Sequence, residues 1–443
     1  MIARRLFSSV LQGAGAAAAV SQSLVASVVI TAANVLASIV TARYLGASGR
    51  GELAALTTLP TFLSFVTTFG LPSGLIFHAR RSPERLGSLV SGVFVLSVTA
   101  GVAGALVGYV VAPYVLAGFA SDSLAVARAL LAFTLVGSLT NAVIPALLSR
   151  HEFSRCNAVR IAQPTLSLIG MLALGMLGWM TPLTGALVVS LSSLPGLIWG
   201  FAWIHRECKP VWRGWLAAAR EVRSYSLRAY SGELLSSLAT QVDKVIVVGI
   251  FAPALMGLYV VAMSLSRLVA IFAAAIVTVL FPKVSGRPQR EVIDVTSRAA
   301  GATTLLVGLT AVALIALGPA LLRVLYGAEF EGAALAFRLL VLEAAVASVV
   351  QVLSQAFMAL DRPGLVTLQY GSGAVVAVPL LFLLAPAWGI EGAAAALLIA
   401  SAVRLACTYW CFKGVMKIDA PRVLGQIGPS VSLLKTAVRA ALR

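Results

Sequence analysis

The chain has 443 residues, of which 60% are hydrophobic and only 11% charged, and it carries a net charge of +17. Its mean hydropathy of +0.97 excludes an ordinary soluble domain and points to a protein that crosses a bilayer many times. In such a protein basic residues collect in cytoplasmic loops, so the positive balance is no argument for a nucleic-acid partner.

The opening, MIARRLFSSVLQGAGAAAAV, sets a basic pair before an apolar run, as signal peptides do. The apolar pattern continues to Val40, long enough to span, and no cleavage site interrupts it. It reads as a retained first helix with Arg4 and Arg5 in the cytoplasm. Apolar windows of about 20 residues predict spans at 17–42, 53–77, 87–112, 123–149, 159–180, 184–204, 227–251, 256–281, 299–318, 332–359, 365–385 and 390–412. With the N-terminus inside, twenty-five of the 33 basic residues fall on the inner side and five within spans. Only Arg43, Arg50 and Arg323 fall outside. That asymmetry supports a cytoplasmic (inner) membrane protein with twelve helices and both termini cytoplasmic.

Two stretches are amphipathic. In 205–226, Trp212, Trp215, Leu216, Ala219 and Val222 oppose Arg213, Arg220 and Arg223. In Ser430–Arg443, Leu433, Leu434, Ala437, Val438 and Ala441 oppose Lys435, Arg439 and Arg443. Both patterns suit helices lying on the membrane surface. The expected layout is an N-terminal six-helix bundle (1–204), a cytoplasmic amphipathic linker (205–226), a second six-helix bundle (227–412) and a basic amphipathic tail (413–443). The four cysteines show no metal-ligand spacing and the chain has only three histidines, so neither a metal nor a cofactor is expected.

The two halves resemble each other at a nearly constant offset. GELAALTTL (51–59) matches GLYVVAMSL (257–265) at 206, and LAVARALL (124–131) matches ALAFRLLV (334–341) at 210. Gly185-Ala186 and Gly392-Ala393 agree at 207, and Pro72 corresponds to Pro282 at 210. Six spans per half give both halves one orientation, related by a pseudo-two-fold axis along the membrane normal. The fold class is therefore all-α and polytopic, about twelve helices in two six-helix bundles. Transporters built this way place the substrate between the halves.

Particular motifs narrow this further: LGASGRGELAAL (45–56), FGLPSGL (69–75), VDKVIVVGIFAPALMGLYVVAMSL (242–265), LFPKVS (280–285), LLRVLYGAEFEGAALAFRLL (321–340) and WGIEGAAAA (388–396). In order and across nearly the whole chain, they resemble the polysaccharide-transport branch of the multidrug/oligosaccharidyl-lipid/polysaccharide (MOP) flippase superfamily. The resemblance implies two six-helix bundles around a cavity that opens alternately to each side. It also implies a polyprenyl-pyrophosphate-linked oligosaccharide as cargo, moved from the cytoplasmic to the outer leaflet for surface polysaccharide synthesis. Membrane lipids, and a polysaccharide polymerase or glycosyltransferases, are the partners that go with it. The family has no strict signature from which site residues carry over.

Charges inside spans are the candidate site residues, because a charge at mid-bilayer costs roughly 2.5–3.5 kcal/mol on insertion scales. On the seventh span Glu233, Ser237, Gln241 and Lys244 share one helical face, with Ser236, Thr240 and Asp243 adjoining. Lys244 and Gln241 suit pyrophosphate or sugar, and Asp243 or Glu233 suits a coupling cation or proton. Alternatively, Glu233 sits at the interface while Asp243 and Lys244 pair with neighbours to hold the bundle. Arg267 and Arg404 match phosphate oxygens and are substrate candidates. Arg128 and Arg338 read as structural anchors, and Glu343 is a partner for Arg338 or another buried base, or a coupling acid. Arg43 and Arg50 flank the first outer turn and read as caps, with Arg43 alternatively lining the outer mouth. Mid-membrane, the five basic residues Arg128, Lys244, Arg267, Arg338 and Arg404 against the three acidic residues Glu233, Asp243 and Glu343 favour an anionic cargo. The alternative is a cation-coupled multidrug or metabolite exporter of the same superfamily. A membrane glycosyltransferase or ligase would need acid/base groups in a sizeable loop, and the chain is not expected to be an enzyme. No GxxxxGK[ST] loop supports an ATP-driven pump.

Overall fold

In the computed structural model the backbone is described for residues 16–116, 121–150, 152–284, 286–421, 423 and 425. Side chains are described for the same residues except 16–21, 80, 121–122, 225, 227–240 and 281–282. Among the described residues all regular structure is helical, as a lipid environment requires of a chain that does not close a barrel.

The helices, in order, are α1 (Ala16–Val66), α2 (Leu71–Arg81), α3 (Leu86–Val115), α4 (Ser121–Leu130), α5 (Ala132–Ser149), α6 (Phe153–Met176) and α7 (Pro182–Leu191). Then follow α8 (Ser193–Glu207), α9 (Trp215–Ile250), α10 (Pro253–Ser266), α11 (Ala270–Val284), α12 (Gln289–Leu321), α13 (Ala334–Ala359) and α14 (Pro363–Trp410). Nine helical stretches among the described residues are long and apolar enough to cross a membrane. Two of these hold more than one crossing's worth of chain. Straight, the 51 residues of α1 would reach about 76 Å, against roughly 30 Å of hydrocarbon. The helix is broken at Gly46 (φ 67°, ψ −177°), a conformation open to glycine because it has no Cβ. Gly389 (φ 61°, ψ −140°) breaks the 48-residue α14 in the same way. Elsewhere single expected spans are cut: 53–77 at Phe69 and Gly70, both at positive φ, and 123–149 at Leu131.

The chain divides into two compact units, Met1–Val261 and Ala262–Arg443. In the first, the core gathers Leu75, Val90, Val93, Val143, Leu147, Val159 and Ile204 from α2, α3, α5, α6 and α8. Polar side chains join its helices: Ser138 Oγ donates to the Ser97 carbonyl at 3.0 Å and Asn141 Nδ2 to the Ser64 carbonyl at 3.1 Å. Arg128 stacks over the Tyr109 ring at 4.4 Å, consistent with an anchoring role. In the second unit, Leu280, Val284, Val292, Val352, Leu353, Phe357 and Phe412 form the core, with the rings of Phe357 and Phe412 4.5 Å apart.

The stretch 205–226 is divided differently from a surface helix. From Trp215 it belongs to α9, which runs without a break into the seventh expected span. Ala218, Ala219 and Val222 are buried against the protein, while Trp212 and Leu216 stay exposed. Gly92 of α3 makes the close approach possible, since a Cβ there would lie 2.9 Å from the Ala219 nitrogen and 3.0 Å from the Trp215 carbonyl. Glu221 adds a clasp, pairing with His78 Nδ1 at 3.2 Å and Arg85 Nη1 at 3.0 Å. Because backbone rather than side-chain ends would be struck, Gly92→Leu is expected to lift the start of α9. Trypsin should then cut at Arg213, Arg220 and Arg223 several-fold faster than in the unaltered protein. Glu221→Gln, which loosens only an exposed ion pair worth about 0–1 kcal/mol, should change the rate little. The tail 430–443 lies outside the described residues.

Candidate functional site

Within the first unit lies a cavity of about 550 Å³, in the range of ligand pockets. Its walls come from polar stripes on otherwise apolar helices. Asn34, Ser38 and Thr41 line it from the first part of α1, and Thr57, Thr61 and Ser64 from the second. Thr140 and Asn141 come from α5, Arg160, Gln163 and Ser167 from α6, and Ser190 and Ser193 from α7 and α8. The stripes on α1 and α6 recur at spacings of three or four, one face of a helix. Pro60 and Pro164 also line the cavity. A proline has no N–H, so the carbonyls of Leu56 and Arg160 lose their usual partner four residues on, which a polar cavity tolerates and lipid does not.

Among the described residues, Arg50 and Arg160 line the cavity and no Asp or Glu does. Arg160 is exposed, and its Nη1 lies 3.3 Å from Asn157 Oδ1. Asn157 in turn donates to Ser23 Oγ at 3.3 Å, which orients the amide oxygen toward the arginine. The carboxylate two residues after Arg50, Glu52, accepts a hydrogen bond from Ser123 Oγ. Two guanidinium groups among hydroxyls and amides can hold a phosphate-bearing, sugar-like molecule: bidentate donors for the anion, mixed donors and acceptors for hydroxyl groups.

The candidates read from the sequence lie elsewhere. Asp243 is buried (3% exposed) on α9, and the Tyr259 hydroxyl donates to its Oδ2 at 3.2 Å. Lys244 Nζ donates to Gln241 Oε1 at 2.9 Å within the same helix. Glu233, with Ser236, Ser237 and Thr240, lies outside the described side chains. Arg267 is exposed at the one-turn 3₁₀ segment, Arg267–Val269, between α10 and α11.

The second unit brings Glu343 and Arg404 together. Arg404 Nη2 lies 3.4 Å from Glu343 Oε1 and donates to Ser401 Oγ at 2.6 Å. Ser401 Oγ donates to the same carboxylate oxygen at 2.8 Å. So the base beside Glu343 is Arg404, while Arg338 is exposed. A second chain of bonds continues beside it: Ser354 Oγ to Gln369 Oε1, Gln369 Nε2 to Thr408 Oγ1, and Thr408 Oγ1 to the Arg404 carbonyl, each 2.7 Å. Fully bonded polar networks of this kind rigidify a core.

The cavity itself was missed by attention to charge alone. Charge alone does not single out Arg160 at the start of the expected span 159–180, and it reads Arg50 as a turn cap. The usable signal was Asn157, Arg160, Gln163 and Ser167 on one face of a helix that continues into an apolar run.

A family model described as "Polysaccharide biosynthesis protein" matches residues 40–335, about two-thirds of the chain. Curated protein sequences give no match. Among solved structures, the lipid II flippase MurJ in its inward closed conformation is 16% identical, with 94% of this chain and 92% of that chain covered and a TM-score of 0.74. An inward-facing multidrug resistance MATE transporter of the MOP superfamily is 14% identical, with 91% and 96% covered and a TM-score of 0.68. A MOP superfamily transporter from Pyrococcus furiosus, described as having a binding pocket of reverse polarity, is 13% identical, with 92% and 97% covered and a TM-score of 0.63. At these identities the structures establish the fold, and the family model establishes the family. The chain belongs to the polysaccharide biosynthesis protein family and carries the all-helical membrane fold of the MOP superfamily transporters.

Proposed function

We propose that this protein flips a polyprenyl-pyrophosphate-linked oligosaccharide from the cytoplasmic to the outer leaflet by alternating access, supplying surface polysaccharide synthesis. The observation that carries the reading is the cavity of the first unit, where Arg50 and Arg160 stand among hydroxyl and amide groups and no carboxylate lines the wall among the described residues. Its charge suits pyrophosphate and its hydroxyls suit a glycan, while the polyprenyl tail can stay in lipid. Membership of the polysaccharide biosynthesis family and a fold shared with a lipid II flippase support it. Membrane lipids and a polysaccharide polymerase or glycosyltransferases belong to the same proposal, as do an inner-membrane location and cytoplasmic termini.

Arg267, with its exposed guanidinium, is a further proposed contact for the anion, and Lys244 with Gln241 a proposed polar contact. For coupling, Asp243 and Glu343 are the acidic candidates, Asp243 with the Tyr259 hydroxyl on its carboxylate and Glu343 with Arg404 beside it. Glu233 stays in the proposal by its place on α9. The competing reading, a cation-coupled drug or metabolite exporter, fits less well with a cavity wall whose described charged residues are both arginines. The test is reconstitution of the purified protein in liposomes with a fluorescent polyprenyl-pyrophosphate glycan. Movement between leaflets, together with loss of surface polysaccharide on deletion of the gene, is the expected result. No movement in liposomes and intact surface glycan in the deletion strain would sink the proposal.

A further inference from the structure

The internal repeat meets itself at one point. Gly51 and Gly257 are repeat equivalents at the offset of 206, and so are Ala47 and Pro253. All four residues lie in the first unit. A Cβ on Gly51 would sit 1.7 Å from the Pro253 carbonyl oxygen and 2.8 Å from the Gly257 nitrogen. A Cβ on Gly257 would sit 1.9 Å from the Ala47 carbonyl oxygen and 3.1 Å from the Gly51 nitrogen. The pattern is reciprocal: each glycine faces the carbonyl four residues before the other. Such isologous contact arises where a two-fold axis passes through the contact.

The placement along the helices is reciprocal too. Ala47 is the first residue after the break at Gly46, and Pro253 is the first residue of α10. Each glycine is thus the fifth residue of its helix, and its backbone rests on the first carbonyl of the other. Both helix starts follow turns between spans that charge asymmetry assigns to the outer face. What touches is backbone, with no side chain that could swing aside.

We propose that this glycine seam is the closed face of a gate, and that the protein must part it at Gly51 and Gly257 to open the cavity toward that side. The inference rests on the alternating-access reading above. Backbone in such close contact makes the closed state intolerant of a single methyl group, because under 3.0 Å a Cβ forces one helix off the other. A substitution that excludes one state shifts the whole population to the other.

The test uses pyrene labels on cysteines introduced at Ser48 and Ala254, in the full chain with the four native cysteines replaced. Both positions are exposed, are repeat equivalents, and adjoin the carbonyls in contact. Stacked pyrenes emit as an excimer only when the seam is shut. With both glycines intact, excimer emission is expected. Gly51→Ala and Gly257→Ala should each lower the excimer-to-monomer ratio at least about three-fold, whereas Gly308→Ala, where a Cβ meets nothing within 4 Å, should leave it unchanged. An unchanged ratio in both seam variants overturns the gate. Should those variants not fold, the same cysteine pair with native glycines can be locked in cells by a reducible bis-thiosulfonate cross-linker. Export of surface glycan should stop on cross-linking and return on reduction; export that continues through a fully cross-linked seam overturns the proposal. The fluorescence does not depend on the cargo, so failure of the glycan reading and failure of the seam are separately visible.

Discussion

Glu343→Ala is expected to be among the most destabilising single substitutions in the second unit, and worse than Arg404→Ala. Both side chains are nearly buried, at 9% and 12% exposure, and Glu343 Oε1 receives both the Arg404 guanidinium and the Ser401 hydroxyl. Removing one member of a buried pair strands the other, typically at about 3–5 kcal/mol. The two losses differ because a stranded carboxyl can neutralise itself by taking up a proton, while a guanidinium keeps its charge. Arg404 is also packed tightly: a Cβ on Gly373 would lie 2.5 Å from its Cδ, so no roomy escape exists on that side. The double variant Glu343→Leu, Arg404→Met should recover most of the stability, since apolar replacement of a buried pair is often neutral or better. Thermal unfolding of purified protein in detergent, followed by size-exclusion profile, checks the order. Equal stability of the two single variants, or a double variant no better than either, would show that the pair does not hold the unit together.

Arg50→Gln and Arg160→Gln should each slow flipping of the lipid-linked glycan roughly 10- to 100-fold without lowering the yield of folded protein. A hydrogen bond to a charged partner contributes about 1.5–3 kcal/mol, and 1.4 kcal/mol is a factor of ten. Arg160→Lys should fall between, because a point charge keeps the attraction but loses the paired donors that match phosphate. A sharper discrimination comes from adding charge. Gln163→Glu places a carboxylate on the cavity wall, which should impair an anionic cargo about as much as losing an arginine. For a cation exporter the same change should help. Flipping in liposomes and drug resistance on overexpression, measured in parallel, separate the two; unimpaired glycan movement in Gln163→Glu would count against the cavity as its route.

Much of the molecule was legible in the amino-acid order alone. Apolar windows of bilayer length, the basic asymmetry and the repeat sufficed for an all-helical membrane protein of duplicated plan, because lipid leaves a spanning chain few other options. Helix breaks were partly visible as well: Gly46 and Gly389 sit where two spans had been expected on either side. What did not show was the continuity of α9 across 215–250. The small residues Ala218, Ala219 and Val222 look like one face of a surface helix, and only the groove opened by Gly92 shows that they pack on protein.

The candidate site divides in the same way. Reading charge along single helices picked out Glu343 and Arg404, yet their pairing joins residues 61 apart, and no local spacing encodes it. It missed Arg50 and Arg160, because both lie near span ends, where one chain position serves equally for a loop charge or a cavity wall. Sequence by itself determined the class of protein, its periodic apolar faces and its duplicated halves, all of which depend on local composition. The tertiary structure decided which polar stripes face a common cavity, which charges cancel, and that Gly51 meets Gly257. Those are relations between helices, set by how their faces pack, and they exist only once the chain is folded.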